Sequence, residues 1–132
     1  MAVSYFPVVF LGAGLGGCMR HALNLFCQAR GWVQLPFATG LINLTGSALM
    51  GFVVAFFASR GQHSPAALLF LTTGMLGGYT TFSTFSLETV LLIQRGKWPV
   101  ALAYALGSVA LGVLGCWLGM SVYKWGASVT PR

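Results

Sequence analysis

The sequence predicts an all-α integral membrane protein with four transmembrane helices, forming a single membrane domain over residues 1–132. Composition says so first. Of the 132 residues, 57% are hydrophobic and only 6% are charged, whereas a soluble domain carries about 25% charged residues. The mean hydropathy is +0.82. Charge spacing says so again: residues 31–59, 61–87 and 98–123 carry no charge. Each of these stretches exceeds the roughly 20 residues that cross about 30 Å of hydrocarbon. Residues 1–19 make a fourth stretch, continuing past Arg20 to about Ala29.

The four helices are expected at about 5–29, 34–58, 65–93 and 98–125. The first has no basic segment ahead of it, and glycine pairs and Arg20 interrupt it, so it reads as a span and not as a cleaved secretory signal. Pro36 stands near the start of the second. Ser64-Pro65 supplies the third with an N-cap followed by proline at the first helical position, where a missing N–H costs nothing. Pro99 opens the fourth. Trp98 and Trp125 bracket that helix, about 40 Å apart at 1.5 Å per residue, which is a bilayer with its interfaces.

The third span holds the most informative segment. Gly77 to Glu88 gathers two adjacent glycines, six hydroxyl residues, two phenylalanines and the only carboxylate of the chain. Lipid tolerates polar, irregular backbone only where protein buries it or water reaches it. The helix is therefore expected to break near Gly77–Thr80 and to line a pathway there.

Polar groups recur every fourth residue on three helices, which places them on one face of each. The second carries Thr39, Asn43 and Ser47, and the third carries Thr80, Thr84 and Glu88. The fourth carries Tyr104 and Ser108, after which Gly112 breaks the run. A single hydroxyl satisfies itself on the carbonyl one turn back; three aligned rows read as a ladder of donors. Asn43 is the costliest of these to bury unpaired. Phe82 and Phe85, amid the hydroxyls, turn electropositive ring edges toward the same region. Intramembrane acids, the mark of cation coupling, are reduced to Glu88 near the end of its helix. Arg20 lies deep enough in its span to face inward and attract anions. The donor set favours an anion.

Other chemistries are disfavoured. The net charge of +6 comes from seven scattered basic residues without the run a phosphate-binding surface needs, so no nucleic-acid partner is expected. Cys18, Cys27 and Cys116 have neither disulfide nor metal spacing and read as small packing residues. His21 and His63 lack ligand partners. No nucleophile–base pair or metal cluster suggests an enzyme.

Topology follows from the basic residues of the loops. With four spans, Arg60, Lys124 and Arg132 fall on one side and Arg30, Arg95 and Lys97 on the other, a tie. A chain without bias inserts both ways, and oppositely inserted copies can pair about a two-fold axis in the membrane plane. Four short helices scarcely enclose a pathway, so a dimer is expected. Gly12-xxx-Gly16, Ser47-xxx-Gly51, Gly74-xxx-Gly78 and Gly115-xxx-Gly119 give every span a surface for close helix packing.

The segments Gly16 to Arg20, Thr39 to Ser47 and Gly74 to Glu88 together resemble the Fluc (CrcB) family of fluoride channels, across essentially the whole chain. The resemblance implies an antiparallel dual-topology homodimer with two fluoride pores in the bacterial cytoplasmic (inner) membrane. Such a channel exports fluoride passively, protecting a cytoplasm in which entering hydrofluoric acid dissociates. It also implies that Asn43, Phe82 and Phe85 lie on the ion path and that Tyr104 and Ser108 belong to its polar track. A structural sodium ion at the dimer centre is implied too, held by the backbone carbonyls of Gly77 and Thr80. Gly112 departs from members with a hydroxyl at that position. The alternative is a small multidrug-type dual-topology transporter of cations, a family that resembles this one in size but relies on a glutamate in its first helix. Here that helix carries Arg20 and no acid. A membrane scaffold without transport is a third reading.

Overall fold

The computed structural model of the chain describes residues 2–32, 36–59 and 64–129. Arg60, His63 and Arg132 lie outside these residues, and with Arg60 and Arg132 go two of the three basic residues on one side of the topology count. A short 3-10 turn, Ala2–Tyr5, leads into α1 (Phe6–Ala29), followed by α2 (Phe37–Ser59) and α3 (Pro65–Leu69). A π-helical stretch, Phe70–Leu76, continues α3 and passes into α4 (Gly77–Tyr79). After a break come α5 (Phe82–Gln94) and α6 (Trp98–Val129). The described residues are helical apart from turns and contain no strand.

Among the described residues, three helices, α1, α2 and α6, are long and apolar enough to cross a membrane. The third span, expected at 65–93 with a break near Gly77–Thr80, is interrupted, and none of its pieces is long enough alone. The fourth helix is also longer than expected, reaching Val129.

Local chemistry sets the helix ends. The Ala67 N–H donates to Ser64 Oγ at 3.4 Å, so the anticipated cap forms ahead of Pro65. α1 and α5 end in the same way. Trp32 N–H donates to Cys27 O and Gly31 N–H to Gln28 O; Lys97 N–H donates to Leu92 O and Gly96 N–H to Ile93 O. Those paired bonds need a left-handed residue, supplied by Gly31 at φ 75° and Gly96 at φ 73°.

The small-residue motifs find one another inside the chain. Gly12 and Gly16 of α1 face Gly74 and Gly78 of the interrupted segment, so closely that a Cβ on Gly12 would stand 3.0 Å from Gly74 Cα. A Cβ on Gly78 would stand 2.9 Å from Ala13 Cα. On the other side of the molecule α2 packs along α6, its most extensive contact. There Gly51 meets Cys116, and Gly119 meets Ala48. Glycine is required at such positions because the neighbour is backbone, which cannot yield. Two close-packed helix pairs result, α1 with the first half of the interrupted segment and α2 with α6. α5 leans on α6. Ile42, Thr39 and Cys27 are the most deeply buried side chains, and Cys27 fills the packing role expected of it.

Candidate functional site

The break that shapes the site lies at Thr80–Thr81, one step later than the glycine pair suggested. Gly77–Tyr79 is still helical; Thr80 (φ −75°, ψ 156°) and Thr81 (φ −151°, ψ 114°) are extended. Side chains stabilise the break. The Thr81 N–H donates to Asn43 Oδ1 at 2.8 Å, and Asn43 Nδ2 donates to Thr81 O at 3.1 Å. The Asn43 amide thus pairs with both faces of one peptide residue, replacing the helical bonds that Thr81 forgoes. Thr81 then caps α5, its Oγ1 accepting from the Thr84 N–H at 3.2 Å. The sequence reading missed Thr81. A threonine three residues ahead of Thr84 was the available signal, masked by the hydroxyls around it.

A cavity of about 370 Å³ opens beside the break between α2, α5 and α6. Asn43, Phe82, Phe85 and Ser108, expected on one path, all line it, together with Ser47, Thr80 and Thr81. No charged residue is in its wall. The rings of Phe82 and Phe85 stand 5.4 Å apart, and Phe85 lies 5.3 Å from the ring of Tyr104. This aromatic row connects the cavity with the carboxylate of Glu88. Glu88 bridges two helices: Oε1 accepts from Thr39 Oγ1 at 2.9 Å, and Oε2 accepts from the Tyr104 hydroxyl at 2.8 Å. Thr39 and Tyr104, read as donors to an ion, are spent on Glu88 in this conformation. Thr84 receives the Thr81 hydroxyl at 3.0 Å. Glu88 also lines a second cavity, together with Asn24, Gln28 and Arg95.

The chain matches the family model described as "CrcB-like protein, Camphor Resistance (CrcB)" over residues 7–120. It belongs to the CrcB-like family. A fluoride-specific ion channel FluC of Methylobacterium nodulans is 51% identical over 117 residues, covering 89% of this chain and 94% of the relative. The fluoride-specific ion channel FluC 2 of Nitrobacter hamburgensis is 46% identical with the same coverage. A FluC of Granulibacter bethesdensis is 53% identical over 106 residues, 80% of this chain and 84% of the relative.

Two further features of this CrcB-like chain concern its expected ion sites. The carbonyl of Gly77 would receive the Thr81 N–H in a continuous helix, but that donor goes to Asn43. The carbonyl of Thr80 would receive the Thr84 N–H, which goes to Thr81 Oγ1. Both carbonyls therefore lose their helical donors through the bonds that make the break. Hard oxygen donors of this kind fit a sodium ion. Among the described residues no group of three or more His, Cys, Asp or Glu side chains is placed to hold a metal ion. Arg20 is half-buried on α1 and is not part of the cavity wall that holds Asn43 and the two phenylalanines.

Proposed function

We propose that two copies of this chain, inserted in opposite orientations, form a fluoride-selective channel. It lets fluoride leave the cytoplasm passively across the bacterial cytoplasmic membrane. The observation that carries this reading is likeness to proteins named fluoride-specific ion channels at 46% to 53% identity. The cavity supports it with suitable chemistry. Fluoride is small and strongly hydrated, and a pore must replace its water with donors. Hydroxyls, an amide and phenylalanine edges line the cavity, and no carboxylate does. The protein performs no covalent chemistry; it is a channel and not an enzyme.

In this reading each copy crosses the membrane four times, the interrupted segment counting as one broken span. Asn43, Phe82, Phe85 and Ser108 touch the ion. Arg20 draws anions toward the mouth, and Thr39, Thr84, Tyr104 and Glu88 set the path between the aromatic row and the second cavity. Phe82 is 77% exposed in the single chain and lies beside the break, where the second copy closes over it. A structural sodium ion at the dimer centre is held by the Gly77 and Thr80 carbonyls of both copies. When bound, it neutralises carbonyls that would otherwise face one another; the protein's own part is to keep those carbonyls out of the helix. The cation-transporter reading finds no support, since α1 has no acid and the only carboxylate is engaged by Thr39 and Tyr104.

Reconstitution into liposomes tests the function directly. With valinomycin present to dissipate the potential, fluoride is expected to leave rapidly while chloride stays, each followed by an ion-selective electrode. Retention of fluoride by folded, dimeric protein would sink the channel reading. Dual topology has its own test: two lysines added to one loop group should trap one orientation. Activity should then fall unless the oppositely biased chain is co-expressed, and undiminished activity speaks against opposed insertion.

A further inference from the structure

Several hydroxyls of the helices are spent on their own backbone. Thr45, Thr72, Thr80, Ser86, Thr89 and Ser121 each donate to the carbonyl four residues back. Ser47 and Ser108 do not, and neither makes any hydrogen bond to the described protein. Both open into the cavity beside the break. Asn43, one turn before Ser47 on α2, uses one of its two N–H groups on Thr81 O and keeps the other. Thr80 and Thr81, also in the wall, have committed their hydroxyls. The unspent hydroxyl and amide donors of this cavity are therefore Asn43, Ser47 and Ser108.

Their placement crosses from one helix to another. On α6 the row Tyr104, Ser108 meets Gly112 at the next turn and has no polar group there. Across the cavity stands Ser47. A Cβ built on Gly112 would lie 3.6 Å from Ser47 Oγ, an ordinary contact distance. Beyond this level the wall passes to Met50, Val113 and Cys116. We propose that Ser47 supplies, from α2, the hydroxyl that α6 lacks at Gly112, and that it donates to the permeating anion after Ser108. Gly112 leaves the space in front of the Ser47 hydroxyl open, and a small side chain there would only touch it. The ion path then leaves α6 at Ser108 and continues along the Asn43–Ser47 face of α2.

The inference rests on the fluoride-channel reading, and one liposome series separates the two. Wild-type efflux is measured first; if the folded wild type passes no fluoride, the channel reading falls and this role falls with it. Given wild-type flux, S47A should slow fluoride about tenfold, the loss expected for one hydrogen bond to an ion, with an unchanged dimer on size exclusion. S47T keeps the hydroxyl and should conduct nearly as the wild type. S47A/G112S moves the hydroxyl across the gap and should recover most of the flux. S47A at wild-type speed overturns the proposal. So does a double variant as slow as S47A, since lost packing alone would explain both. Should S47A not purify as folded dimer, S47C, of similar size without the oxygen donor, replaces it with the same expectations.

Discussion

The two halves of the interrupted segment solve opposite problems. Up to Tyr79 the chain lies against α1, with Gly74 and Gly78 so close to Gly12 and Ala13 that no side chain fits between them. From Phe82 onward it leans on α6, leaves Phe82 77% exposed and turns Phe85 into a cavity. The first half is an anchor and the second a lining. The division teaches how a small membrane protein can hold a polar surface in place. Backbone-to-backbone contact fixes one half rigidly, and the Asn43–Thr81 pair and the Thr81 cap carry that fixity across the break. The second half is then free to present phenylalanines and hydroxyls without having to pack them tightly.

If that division is real, damage to the anchor should cost folding and damage to the lining should cost transport. The largest effect is expected from Gly16→Leu or Gly78→Leu, which drive a side chain into backbone. Each should destabilise the protein by about 3 kcal/mol or more, read as loss of monodisperse protein and of thermal stability in detergent. A stable Gly78→Leu protein would show that the anchor is not tight. Replacing Phe82 or Phe85 with isoleucine should do the reverse. Fluoride flux should fall roughly tenfold, about 1.4 kcal/mol, as an electropositive ring edge is withdrawn from the anion, while the dimer survives. Normal flux in both variants would remove the aromatic row from the path.

Asn43→Ala probes the joint between the halves. It leaves the Thr81 N–H and carbonyl without their partner, so stability should fall by about 2 kcal/mol or more and flux should fall with it. A loss of flux with the melting temperature unchanged would mean that Asn43 serves the ion alone. The smallest effect is expected from Glu88→Gln. An amide can still pair with the Thr39 and Tyr104 hydroxyls, at a cost of about 1 kcal/mol for the lost charge assistance. A large loss of flux there, measured in the same liposome assay, would make the carboxylate charge itself part of the pathway.

Much of this was legible residue by residue. The reading of Ser64-Pro65 as a helix start was correct because a cap is chemistry between neighbours. The importance of Gly77 to Glu88 was visible because polar density inside an apolar stretch is a local property. The position of the break was less visible. The glycine pair drew attention to Gly77–Thr80, yet Gly78 is used for packing on α1 while Thr80 and Thr81 carry the extended backbone. Small-residue motifs on every span were evident too, but not which motif would meet which.

By itself the sequence determined that the chain is helical, membrane-embedded and short of carboxylates, because hydrocarbon thickness, capping and composition act over a few residues at a time. Only the tertiary structure decided how its polar groups are spent. Asn43 meets Thr81 across 38 residues, Thr39 meets Glu88 across 49, and Tyr104 meets it across 16. Inside hydrocarbon each donor must find a partner, and spacing along one helix says only which way a donor faces. Which partner it finds depends on how closely the helices approach, and here the glycines set that distance.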